Sequence, residues 1–135
     1  MHQELYHRLI QYCKERLPEE ACGFIFGRIE RNGWTATTIL PIPNIANHPQ
    51  YEFLMEPTHV IDALFHPQDS AQWIGIFHSH PTGATHLSEM DLRTYWDIVP
   101  THWIIGLKNA MQPEVAGYQI HKSSGCIECI TFSIV

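Results

Sequence analysis

The run Trp73-Ile74-Gly75-Ile76-Phe77, passing directly into His78-Ser79-His80-Pro81, constrains this chain more than any other segment. Its apolar, aromatic and β-branched content over so short a length reads as a strand buried in a sheet, and Pro81 closes it. Strand side chains alternate faces, so the imidazoles of His78 and His80 project from one face at the strand's end. Two neutral imidazoles so placed can converge on one cation. Histidines also end strands for other reasons, so the pair needs a third partner before it means a metal.

The partner is offered a short way on. Pro81-Thr82-Gly83-Ala84-Thr85-His86 is loop by composition, and a helix is predicted from Leu87 onward. Ser88-Glu89-Met90-Asp91 fits a capping box, with Leu87 and Leu92 placed as a hydrophobic staple. Read alone, that is only a helix N-terminus. A carboxylate has two oxygens, however, and Asp91 can divide them between backbone and metal. Two imidazoles and one carboxylate, with a fourth position left for water, form the usual donor set of a catalytic Zn²⁺. His86 is an alternative third ligand, though a loop fixes a ligand less well than a capped helix.

A third element lies far away in sequence. Pro18-Glu19-Glu20-Ala21-Cys22-Gly23-Phe24 sets two carboxylates at the mouth of a second apolar strand. By itself the pair reads as solvated linker residues. Beside a metal, Glu20 would be the general acid/base that activates water.

Glu20-x-x-Gly23, His78-x-His80-Pro81 and Ser88-x-x-Asp91 together resemble the JAMM metalloprotease signature of the MPN-plus domain, over nearly the whole chain. The resemblance implies an α/β fold: a single compact MPN-like domain over residues 1–135, with a mixed, curved β-sheet flanked by helices. It implies one zinc held by His78, His80 and Asp91, with Glu20 as acid/base, Ser88 stabilising an oxyanion, and hydrolysis of peptide or isopeptide bonds. Every signature position is filled, which argues against a non-catalytic scaffold member. The other reading is an MPN-like binding module with a structural zinc, which needs a fourth protein ligand from His86 or Cys22. A zinc deaminase would require His-x-Glu, and no glutamate follows His78 at that position.

Family members that trim ubiquitin chains carry inserted gripping segments, whereas the residues after Asp91 are all taken up by core elements here. This brevity is similar to the bacterial members associated with ubiquitin-like sulfur-carrier proteins ending in Gly-Gly. The substrate expected from the resemblance is such a carrier, cut just after its diglycine.

Composition narrows the remaining classes. A chain of 135 residues forms one ordinary core, and a formal charge of −6 offers no basic footprint for nucleic acid. Met1-His2-Gln3-Glu4 is no signal peptide, and no apolar window is long enough for a membrane span, so a cytoplasmic, membrane-free protein is expected. Disulfides are then not expected among Cys13, Cys22, Cys126 and Cys129. Cys126 and Cys129, three apart in a predicted strand, point to opposite faces and should not share an ion.

The remaining pattern is that of alternating elements. Leu5, Tyr6, Leu9, Ile10, Cys13 and Leu17 mark an amphipathic helix stopping at Pro18. Strands are predicted at 22–28 and 34–42 around Arg31-Asn32-Gly33, with a short one at Tyr51–Leu54. A second helix runs from Pro57 to before Pro67. Strands follow at His102–Leu107, Val115–His121 and Cys126–Ile134, the last two joined by a turn at Lys122-Ser123-Ser124-Gly125. His2, His7, His48, His59, His66, His102 and His121 have no spacing that implies metal.

Overall fold

In chain order the computed structural model runs α1 (Gln3–Glu15), β1 (Cys22–Glu30), β2 (Gly33–Ile42), α2 (Pro57–Phe65), β3 (Gln72–His80), β4 (Thr101–Gly106), β5 (Glu114–His121) and β6 (Cys126–Ile130). It describes residues 1–65, 71–88, 91, 99–121 and 124–135. Two near-continuous apolar runs set the middle of the sheet. All of 22–27 in β1 and all of 74–79 in β3 are buried. Such strands meet a packed layer on each face and so lose the polar alternation of a half-exposed strand. Alternate residues sort accordingly. Phe24, Phe26 and Ile76 pack with Ile42, Met55 and Ala63 of the α2 side, while Ile25 and Phe77 pack with Leu5, Leu9 and Trp103 on the α1 side.

The sheet has the order β2-β1-β3-β4-β5-β6. All neighbours are antiparallel except β3 and β4, which run parallel. A parallel pair cannot be joined by a hairpin and needs a long crossover. Residues 81–100 make that crossover, and Asp91 rides on it. The parallel pairing of β3 with β4 is thus what requires this long connection between them. Among the described residues no helix is long and apolar enough to cross a membrane.

Several elements depart from expectation. α1 ends at Glu15 rather than Pro18, because proline disfavours helical backbone at Leu17, and residues 16–19 close instead through Leu17 N–H to Lys14 O and Glu19 N–H to Arg16 O. Tyr51–Leu54 is not a strand. Its peptide groups bond to the Asn44 side chain and within the loop, leaving only an isolated Asn44–Met55 bridge. β6 stops at Ile130, since the tail turns away to the N-terminus: Val135 N–H donates to Met1 O at 3.0 Å and Gln3 N–H to Val135 O at 2.9 Å. The end of α2 beyond Phe65, most of the helix predicted from Ser88, Leu92 of the staple, and Lys122-Ser123 lie outside the described residues.

Candidate metal centre

β3 ends where its two histidines leave the core. His78 is buried and His80 half-buried, and their Nε2 atoms stand 3.1 Å apart. The crossover brings Asp91 to the same point, with Oδ1 2.9 Å from His78 Nε2 and Oδ2 3.1 Å from His80 Nε2. Donors around a tetrahedral ion with bonds of about 2.0–2.1 Å lie roughly 3.3 Å apart. The two imidazole nitrogens stand at nearly that spacing, each beside a different Asp91 oxygen, and one donor atom from each of the three residues lies within 4.8 Å of the others. Among the described residues this is the one group of His, Cys, Asp and Glu side chains able to hold a metal ion.

The surroundings orient these donors. His80 Nδ1 lies 2.8 Å from Ala84 O, so Nδ1–H donates there and Nε2 keeps its lone pair for the cluster. The loop carrying Ala84 is itself tied down: Tyr118 hydroxyl donates to Thr85 O at 2.7 Å and Lys108 N–H to Gly83 O at 3.2 Å. Gly106 lets it lie on β4, since a Cβ there would come within 3.1 Å of Ala84 C and Gly83 O. Phe53 stacks on the His78 ring, centroids 4.7 Å apart. Asp91 is held by the capping box the sequence suggested. Ser88 N–H donates to Asp91 Oδ2 at 2.8 Å, and Asp91 N–H to Ser88 Oγ at 3.0 Å. Cap and cluster use the same carboxylate.

Glu20 arrives by register. Cys22 pairs with His78 across β1 and β3, and Ala21 and Ser79 continue the ladder, so Glu20 stands opposite His80. Ser79, whose part the sequence reading missed, fastens this corner twice. Its N–H donates to Ala21 O at 3.0 Å, and its Oγ accepts Ala21 N–H at 2.8 Å. Asn44 was missed as well; its amide donates to Glu20 O at 3.0 Å. Glu20 is buried at 7% exposure, whereas Glu19 turns outward to Arg16 at 3.1 Å. Glu20, His80 and Ser88 line one cleft of about 220 Å³, together with Tyr51, Thr82 and Gly83.

Burial opposes charge throughout, with different results. It drives the His78 imidazole below its ordinary value despite the pull of Asp91. At His80 burial is outweighed by hydrogen bonds to Asp91 and Ala84 O, and the imidazole is raised. Asp91 is pushed up by burial but held well below the usual carboxylate range by bonds from both histidines. Burial raises Glu20 to about 7, with His80 opposing and Asp91 and Glu52 assisting. The site thus offers a carboxylate held toward its anion, one imidazole biased toward the neutral form, one oriented by Ala84 O, and a separate carboxyl raised to about 7.

Neither alternative ligand joins the cluster. His86 is exposed, and Cys22 is a buried thiol that donates to Ile42 O at 3.3 Å and whose pKa burial pushes up to about 12. Among the described residues no fourth protein donor closes the site. Two imidazoles and a carboxylate are a donor set that suits zinc.

Fold and site together define a mixed-sheet α/β domain with a three-donor metal-binding constellation beside a buried carboxyl. The chain belongs to the prokaryotic homologs of the JAB domain, whose family pattern matches residues 2–120. It is 28% identical over 97 residues to the human AMSH-like protease, covering 69% of this chain but only 21% of that protein. A solved structure of a Desulfitobacterium hafniense protein superposes with a TM-score of 0.85 at 23% identity, over 99% of this chain and 90% of the other. A JAB1/MPN domain protein from Archaeoglobus fulgidus gives 0.62 at 16% identity, over 97% and 94%. These two likenesses establish the fold, a mixed α/β domain of the MPN type whose described residues form a six-stranded sheet with α1 and α2.

Proposed function

We propose that this chain is a zinc-dependent hydrolase of peptide or isopeptide bonds, acting after the C-terminal Gly-Gly of a ubiquitin-like sulfur-carrier protein. The observation that carries the hydrolase reading is Glu20, buried opposite His80 and titrating near neutrality beside the three-donor cluster. A zinc ion bound by His78, His80 and Asp91 would bring a water's pKa down toward ~7 and polarise a carbonyl oxygen. Glu20, buried beside the cluster, would both accept a proton from the attacking water and return it to the leaving amine. Ser88 Oγ accepts the Asp91 N–H yet keeps its own hydrogen, leaving its hydroxyl free to donate to the developing oxyanion. One such donor is worth about 3 kcal/mol. The diglycine part of the reading rests on the family resemblance, and two glycines are the thinnest segment a peptide can bring to a buried carboxyl. All four cysteines are free, which fits a reducing cytoplasm.

The test offers purified, zinc-loaded protein a set of sulfur-carrier proteins extended by a few residues past Gly-Gly, read by mass spectrometry. Wild type should trim them to the bare diglycine. Glu20→Gln should stay folded and zinc-loaded while turnover falls about 100-fold or more, and Glu19→Gln should be nearly silent. Hydrolysis of unrelated peptides with no carrier trimmed would remove the carrier and leave the hydrolase. Full activity of Glu20→Gln would remove Glu20 as the base.

A further inference from the structure

We infer that Asn44 is the positioning residue of this site, one side chain that both places Glu20 for proton transfer and folds the loop that walls His78; the catalytic half rests on the hydrolase reading above. Asn44 stands just past the end of β2, and its side chain reaches five backbone groups. Nδ2 donates to Glu20 O at 3.0 Å and Glu52 O at 3.0 Å, with Pro49 O at 3.4 Å. Oδ1 accepts from Ala46 N–H and Leu54 N–H, each at 3.0 Å. Three carbonyls surround one end of the amide and two N–H groups the other, so a flip would set every pair in conflict and the orientation follows from the chemistry.

The geometry joins two things that are separate in sequence. Glu20 stands two residues before β1, outside its pairing with β2, which begins at Cys22. Its N–H donates to Pro49 O at 2.7 Å and its carbonyl accepts from Asn44, so both of its peptide groups are held by the 44–54 loop. The same loop delivers Phe53 onto the His78 ring, and Ile45 N–H to Leu54 O at 2.8 Å closes its neck. Two short loop-side bonds and the Ala21–Ser79 pair leave the Glu20 backbone a single position, which fixes where its carboxyl can reach. A general base works only within hydrogen-bond reach of the proton it takes, so this anchoring is felt in turnover rather than in metal binding.

Asn44→Asp separates the two ends of the amide. It retains an acceptor for Ala46 and Leu54 but turns a carboxylate toward three carbonyl oxygens. We expect zinc affinity within threefold of wild type, KM little changed, and kcat on an extended carrier reduced about tenfold or more. Amide hydrogen exchange supplies a readout independent of activity. The Glu20 amide should lose protection at least tenfold while Ala46 and Leu54 amides stay near wild type. In Asn44→Ala all three should exchange faster. Unchanged Glu20 protection in both variants overturns the inference, as does a kcat within twofold of wild type once that amide has loosened. Should wild type hydrolyse nothing, the hydrolase reading fails and the catalytic half with it, and the exchange pattern alone decides whether Asn44 holds Glu20.

Discussion

Replacing Glu20 should make the metal-free protein more stable. Glu20 is buried, and its carboxyl is raised from 4.5 to about 7 chiefly by that burial. An acid whose folded pKa is raised binds its proton more tightly folded than unfolded, so its contribution is fully present below pH 4.5. That contribution is lost as pH climbs through about 7. At about 1.36 kcal/mol per pH unit, the interval between 4.5 and about 7 sets a ceiling of about 3 kcal/mol. Water in the cleft screens part of this, and about 1–2 kcal/mol is expected. Glu20→Gln keeps the shape and carries no charge at any pH. Urea denaturation of chelated wild type and variant should therefore give matched stabilities near pH 4.5. A gap favouring the variant should then open as pH rises to 8, corresponding to a Tm higher by at least about 3 °C. A constant difference across that range, or a variant less stable at pH 8, would refute the claim that the carboxyl is held in a desolvated place at a cost to the fold.

Three further outcomes follow from the geometry. Asp91→Ala and His80→Ala should weaken zinc binding by about 100-fold or more while His86→Ala leaves it unchanged, as metal analysis after equilibration with a graded chelator would show. Gly75→Ala should cost about 3 kcal/mol in chemical denaturation, because its Cβ would lie 2.3 Å from Thr101 Oγ1, the hydroxyl that donates to Ile74 O at 2.6 Å; a loss under 1 kcal/mol would mean the two strands part easily. In native protein at pH 8 an alkylating reagent should label Cys126 and Cys129 quickly and Cys13 and Cys22 only on unfolding, since burial pushes both inner thiols up to about 12; rapid labelling of four would contradict the packing around α1 and β1.

What could be read from sequence was whatever a local period encodes. His78 and His80 are visible because a strand's period puts them on one face, and Ser88 with Asp91 because a helix start has a four-residue grammar. The central strands showed as unbroken apolar runs for the reason that both their faces are covered. Asn44 was invisible. Its role is spread over backbone groups of residues 20, 46, 49, 52 and 54, and no spacing announces a side chain that bonds to main chain. The same fact explains the misread strand at Tyr51–Leu54, where aromatic and aliphatic residues imitate β propensity but the loop's peptide groups have found an amide instead of a neighbouring strand. Apolar spacing alone overruns both ends: α1 stops early because Pro18 disfavours helical backbone at Leu17, and β6 stops at Ile130 because the tail bonds to the N-terminus instead.

Ser79 bears on how such a centre can be moved to another protein. It reads as the spacer between the two histidines, yet it points to the opposite face of β3 and grips Ala21 from two directions. A designer who grafts two histidines and an aspartate onto a new strand would reproduce the ion's coordination and leave behind the clasp that brings a carboxyl alongside. On the hydrolase reading proposed above, the transplant would bind metal and stay inert. The portable unit is the five-residue corner made by Glu20-Ala21 and His78-Ser79-His80, in which the middle residue of the motif is a part of the machine in its own right.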